Sequence, residues 1–168
     1  MDPRARQTVT EMLQQRGYTV TDEDDVVVGN RRFPTSDKVV VFYNPVSISI
    51  SHIKEYVGVM GKTGFDHAIV IYKDGVTPQA SKTIEMLTDK EIEVFQEKKM
   101  LYNITKHRLV PTHRCLSAFE IESFKRKYGI KIPVLLQTDV VVRFYNFKPG
   151  DVIEITRADG IVVYRIVK

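Results

Sequence analysis

The hydrophobic pattern changes period several times along the chain, and each change marks an element. Val9, Met12, Leu13 and Arg16 recur at helical spacing, Thr8 with Glu11 makes a capping box, and Gly17 suits the position past the end, so the first segment predicts a helix. Asp22 to Asp25 reads as an acidic loop that lacks the alternating oxygen ligands and glycine of a calcium loop. Val39 to Tyr43 and His67 to Tyr72 are short apolar runs rich in β-branched residues and read as buried strands. Between them Ser47 to Met60 fits two periods. Ile48 and Ile50 alternate, while Ile50, Ile53, Tyr56, Val57 and Met60 keep a helical stripe, and the length favours a helix ended by Gly61 and Gly64. Thr77-Pro78 combines a capping hydroxyl with proline at the first helical position and predicts a helix to about Leu87. Ile92, Val94 and Phe95 suggest another strand, and the resulting alternation predicts an α/β layer with helices against a sheet.

A second module begins near Leu101. Ser117 with Glu120 is a capping box, Ile121, Phe124 and Tyr128 form an apolar stripe, and Gly129 closes that helix. Asp139 to Tyr145 is a conflict, since Asp139 suits a helix cap while Val140, Val141 and Val142 are β-prone. Val152 to Thr156 and Ile161 to Val167 read as strands joined at Ala158-Asp159-Gly160. The last strand is apolar on both faces, so it needs cover on both sides. A module of this size buries only roughly 60% of its unfolded surface. The cover is expected from the first module or another chain, unless the strand is central to its own small core.

Composition narrows the class. With 168 residues, 43% hydrophobic and 27% charged, the chain is neither disordered nor of low complexity. It holds no apolar run long enough for a membrane span and shows no secretory h-region, so no membrane partner is expected. One cysteine, Cys115, excludes an internal disulfide and points to a reducing, intracellular setting. The net charge of +4 is uneven: residues 1–100 hold 13 Lys+Arg against 15 Asp+Glu, residues 101–168 hold 12 against 6. That asymmetry favours two modules with different partners, and is too small to establish nucleic-acid binding.

No reaction class gathers its residues. Gly58 to Thr63 approximates a phosphate-binding loop, but Tyr56 stands where the first glycine belongs and the helix precedes the loop instead of following it. His107 and His113 stand at an allowed five-residue gap, but Cys115 follows the second histidine too closely and no second thiol completes a zinc set. The two apolar strands carry no acids for metal-assisted hydrolysis, and Asp66 stands without a matching carboxylate and lysine. The residues therefore predict no catalytic group, no metal and no cofactor; the alternative is a small nucleic-acid-processing enzyme with an unrecognised site.

The run Asn103-Ile104-Thr105-Lys106-His107-Arg108-Leu109-Val110-Pro111-Thr112-His113 resembles a signature of the fifth subunit shared by the eukaryotic nuclear DNA-directed RNA polymerases, a family with a counterpart in the archaeal enzyme. The resemblance continues through Ser117, Glu120, Lys127-Tyr128, Pro133, Asp139, Arg143, Tyr145, Lys148 to Ile153 and Tyr164 to Val167. It reaches back to Arg16-Gly17-Tyr18 and Gly75 to Ala80, nearly the whole chain. Departures are Val140 and Asn146, where the family has proline and glycine, and the short connection at Ala158-Asp159-Gly160. Such a trimmed copy is similar to one encoded by a large DNA virus.

The resemblance implies an N-terminal jaw module over residues 1–100, with a sheet and flanking helices, and a small C-terminal α+β assembly module over 101–168 ending in a β-hairpin. It implies a non-catalytic subunit docked on the largest polymerase subunit among the other core subunits, beside the downstream duplex DNA. Its setting would be nuclear if cellular, and a cytoplasmic viral factory or virion if viral. Weak, sequence-independent DNA contact is expected from Lys73, Thr77, Pro78, Gln79, Ala80 and Lys82, at a helix N-terminus able to receive a phosphate. Subunit docking is expected from His107, Val110, Pro111, His113, Arg143, Tyr145, Tyr164 and Arg165, with the two arginines as planar donors.

Overall fold

An aspartate followed by proline sets where the chain first coils. The Asp2 carboxylate accepts the N–H of Arg4, and α1 (Pro3–Gln15) starts there, not at the expected Thr8–Glu11 box. Thr8 is instead buried mid-helix beside Ala5, Val9, Met12 and Leu13, and Gly17 ends the helix at φ 85°. The structure, a computed structural model, describes residues 1–23, 26–31, 37–129 and 131–168. They divide into two compact units, Met1–Tyr102 and Asn103–Lys168, each with a mixed sheet and its own helices.

The sheet of the first unit runs β1 (Thr19–Glu23), β2 (Val26–Arg31), β3 (Asp37–Asn44), β4 (His67–Tyr72), β5 (Glu91–Gln96) in spatial order. The first three pair antiparallel and the last three parallel, with α2 (Ile50–Thr63) and α3 (Pro78–Glu85) as crossovers. The expected acidic loop is corrected in part: Asp22 and Glu23 belong to β1, while Asp24 and Asp25 lie outside the described residues. Pairing with β2 overrides their low strand propensity. The Ser47–Met60 ambiguity resolves as helix, and Gly61 lies inside it; Gly64, at φ 74°, is the residue that ends it. Strand alternation sends Val40, Ala68, Val70 and Ile92 to one face, where they pack with Ile53, Tyr56, Met60 and Ala80. The buried Val39, Val41, Ile69 and Ile71 point to the other face.

The second unit comprises a 3₁₀ turn (Ile104–Lys106), β6 (Thr112–Cys115), α4 (Ala118–Tyr128), β7 (Val134–Leu135), α5 (Val140–Tyr145), β8 (Val152–Thr156) and β9 (Val162–Val167), with sheet order β6-β8-β9-β7. The Asp139 conflict resolves as helix. The Asp139 carboxylate accepts the N–H groups of Val141 and Val142, and burial of Val141, Val142 and Phe144 outweighs their weak helix propensity. Asn146 fills the glycine position at φ 55°. β9 finds part of its cover inside its own unit. Val163 and Val167 pack with Val142, Ile153 and Ile155, and on the alternate side Phe124 of α4 lies 4.6 Å from the Tyr164 ring. Cover is incomplete, with Ile161 and Val162 exposed.

Candidate nucleic-acid and docking interfaces

In the first unit two helix N-termini are tied together. Ile48 and Val76 form an isolated parallel bridge, in which Ile48 N–H donates to the Gly75 carbonyl and Thr77 N–H to that of Ile48. The next residue on each strand of the bridge is a cap: Ser49 for α2 and Thr77 for α3. The positive ends of both helix dipoles thus lie side by side at the carboxyl ends of β3 and β4. Lys73 and Lys82 are exposed, and Pro78 and Gln79 are open to solvent at the first turn of α3. Ala80 is a correction. Its side chain is fully buried in the core and its N–H is taken by the Thr77 hydroxyl, so it supplies neither surface nor donor. Ser81 N–H already bonds the Thr77 carbonyl and Pro78 has none, which leaves the Gln79 amide as the open donor of that turn.

The other face of this sheet holds a polar cluster that the sequence reading missed. Arg16, past the end of α1, donates to both oxygens of Glu93 at 2.6 and 2.9 Å, and His67 Nε2 lies 2.8 Å from Glu93 Oε1. Burial pushes the Glu93 carboxyl up, but the Arg16 charge and the hydrogen bonds from His67 and Arg16 outweigh it and hold the group at about 2. The expectation that Asp66 lacks a lysine is also corrected: Lys90 Nζ donates to Asp66 at 2.6 Å and to the Phe65 carbonyl at 2.8 Å. Sequence alternation of Glu91 and Glu93 opposite His67 was the available signal. Glu93 is held by arginine and histidine, and Lys90 by a carbonyl and Asp66, so these groups bond one another.

In the second unit the docking candidates occupy several elements. Val110 and Pro111 line a groove of about 610 Å³ with Arg108, Leu109 and the hairpin tip Thr156 to Asp159. His107 Nδ1 accepts the Leu109 N–H, and His113 Nδ1–H donates to the Pro111 carbonyl, so both imidazoles shape this loop. Tyr145 stacks on Phe147 at 5.1 Å; burial raises its hydroxyl pKa, and a hydrogen bond with Thr105 counteracts it. Arg143 is half-buried on the same helix. Tyr164 and Arg165 are strand neighbours on opposite faces, Tyr164 bonding Glu154 and Arg165 donating to the Val134 carbonyl. The eight residues therefore do not form one patch. The sequence reading missed the network beside Tyr164, where Arg114 joins Glu120 at 2.7 Å and Glu154 at 3.0 Å. It also missed the exposed Leu109 and Phe119. Hydrogen bonds from Ser117 and Arg114 hold the Glu120 carboxyl at about 2.

The family described as RNA polymerase Rpb5, C-terminal domain, matches residues 102–167. Subunit 5B of DNA-directed RNA polymerases IV and V of Arabidopsis thaliana is 31% identical over 97% of this chain and 88% of its own length. Subunit RPABC1 of DNA-directed RNA polymerases I, II and III of Caenorhabditis briggsae is 28% identical over 98% and 94%. A provisionally named DNA-directed RNA polymerase subunit, 454R, of Invertebrate iridescent virus 6 is 30% identical over the full length of both chains. The class is thus a non-catalytic subunit of DNA-directed RNA polymerase, and the nucleic-acid-processing alternative falls away. Within that class the chain belongs to the Rpb5 family, the fifth subunit.

Proposed function

We propose that residues 1–100 act as a jaw beside the downstream duplex and that residues 101–168 act as an assembly module docked on the largest polymerase subunit. The joined N-termini of α2 and α3 are the observation that carries the DNA half of this reading, with exposed Lys73 between β4 and α3 and exposed Lys82 in the last turn of α3. Two neighbouring dipole ends, the Gln79 amide and two exposed ammonium groups suit a phosphate without reading a base. Binding of this kind is weak, sequence-independent and salt-sensitive. Thr77, Pro78 and Gln79 present the donor, and Ala80 serves only to seat the helix. The relatives include cellular and viral polymerase subunits, which is compatible with the proposed setting, a nucleus or a viral factory or particle.

The test replaces Lys73 and Lys82 with glutamate in the assembled polymerase and measures retention of downstream DNA across a salt series. Loss of two phosphate contacts should lower the slope of log affinity against log salt by about 2. An unchanged slope rejects the contact. For docking, Arg143→Ala with Arg165→Ala should release the chain from the largest subunit in co-purification. Because Arg165 also holds the Val134 carbonyl, a thermal melt of the variant accompanies that assay, and a melted second unit assigns these arginines to the fold instead.

A further inference from the structure

Two loops of the second unit diverge from the Thr112–Thr156 pair, the terminal rung between β6 and β8, and enclose the groove of about 610 Å³. Each wall is shaped from within. On one side Leu109 N–H donates to the His107 ring, Val110 N–H to the His107 carbonyl at 2.8 Å, and the His113 ring to the Pro111 carbonyl. On the other side Arg157 N–H donates to the Ile161 carbonyl at 2.9 Å, and the Asp159 carboxylate accepts the Ile161 N–H at 3.0 Å. A ligand therefore meets loops that are already ordered, and little conformational entropy opposes its binding.

Apolar surface and uncompensated positive charge meet in this groove. Leu109 is 75% exposed, Ala158 is exposed, and Val110 and Pro111 are half-buried. Arg108 and Arg157 are both exposed, and neither has an ion-pair partner among the described residues. Against these two positive charges the lining holds one acid, Asp159, so it sums to +1. The surroundings carry the same sign, since residues 101–168 hold 12 basic residues against 6 acidic. A planar guanidinium presents a fork of donors that matches a carboxylate, and a positive field steers an acidic partner to the site. Apolar walls call for aliphatic or aromatic side chains beside that carboxylate. A nucleic-acid backbone would leave Leu109 and Ala158 uncovered and would be repelled by Asp159, so the surface suits a protein segment. We propose that the groove receives a segment of the largest polymerase subunit that carries acidic side chains among apolar ones, an inference that rests on the docking reading above. Arg108 and Arg157 hold the acids, and Leu109, Val110 and Pro111 hold the apolar side chains. This charge match selects which segment seats there.

The assembled polymerase tests the assignment. A photoreactive benzophenone side chain in place of Leu109 should cross-link to one segment of the largest subunit that contains aspartate or glutamate. When wild type and Arg108→Glu with Arg157→Glu are co-expressed in equal amounts, the purified polymerase should contain wild type in at least about tenfold excess. Changing the acid of the cross-linked segment to arginine should reverse that preference. Both arginines are exposed, so the melting temperature of the variant should stay near that of wild type. If it does not, the reversal still decides, because a change in the partner cannot repair a misfolded chain. The inference is overturned by equal incorporation, by no reversal, or by a cross-linked segment without an acid. A cross-link to nucleic acid or to another subunit, or none at all, overturns it equally. In each of these cases a wild-type chain that still co-purifies with the largest subunit leaves the docking reading standing. A wild-type chain that does not co-purify overturns both.

Discussion

The Arg16–Glu93 pair is the place where one substitution should be felt most in the first unit. Its side chains are 3% and 12% exposed, and the two N–H···O contacts are 2.6 and 2.9 Å. Two unit charges about 4 Å apart attract by about 4 kcal/mol at the effective dielectric of a protein. Desolvation offsets much of that in the intact pair, but removing one partner leaves the other charge buried, which costs about 3–5 kcal/mol. Arg16→Met keeps the aliphatic bulk and deletes the charge, so it should destabilise the first unit by about 3 kcal/mol. Because the chain has two units, a single unfolding midpoint mixes their stabilities. Hydrogen exchange at the buried β4 amides Ile69, Val70 and Ile71 reads the first unit alone. Adding Glu93→Gln, which removes the stranded charge, should recover most of the loss. A loss below about 1 kcal/mol in Arg16→Met, or no recovery in the double variant, refutes the assignment of this pair as a buried, charge-compensated clamp.

Three further outcomes follow from local geometry. A Cβ on Gly29 would lie 2.6 Å from Val39 Cγ1 and 3.1 Å from the Tyr18 ring, so Gly29→Ala should cost about 1–3 kcal/mol in the same exchange measurement. Glu120, held at about 2 by Ser117 and Arg114, sits below its ordinary 4.5. Its contribution is present above pH 4.5 and lost as pH falls toward 2, so the stability gap between wild type and Glu120→Gln should close over that window in acid unfolding. Asn146 ends α5 at φ 55°; Asn146→Ala should lower the melting temperature of the second unit, by roughly 1 kcal/mol of strain, whereas Asn146→Gly should hold or raise it.

Much of the fold was legible because its signals are local. The apolar run His67–Tyr72 matches β4 at both ends, and the hydroxyl–proline pair at Thr77-Pro78 starts α3 through the expected cap. The Ser117–Glu120 box likewise starts α4. Where two local signals disagreed, packing chose: Val140 to Val142 are helical because Asp139 caps them and two of the three face the core. The first two strands were not legible, since β1 carries acids and is held by pairing to residues that a local pattern does not see.

The candidate sites divide in the same way. Residue types alone marked the α3 start and the Asn103–His113 run, and these carry the resemblance to the family that the relatives show. Only the tertiary structure showed that Ser49 and Thr77 cap neighbouring helices across the Ile48–Val76 bridge, or that Ala80 is turned into the core. It alone carried Arg16 to Glu93, residues 77 positions apart. A cap, a turn or a period is settled within a few residues by backbone sterics and hydrogen bonding. A charge pair between distant segments exists only once the sheet has closed and water has been excluded from both.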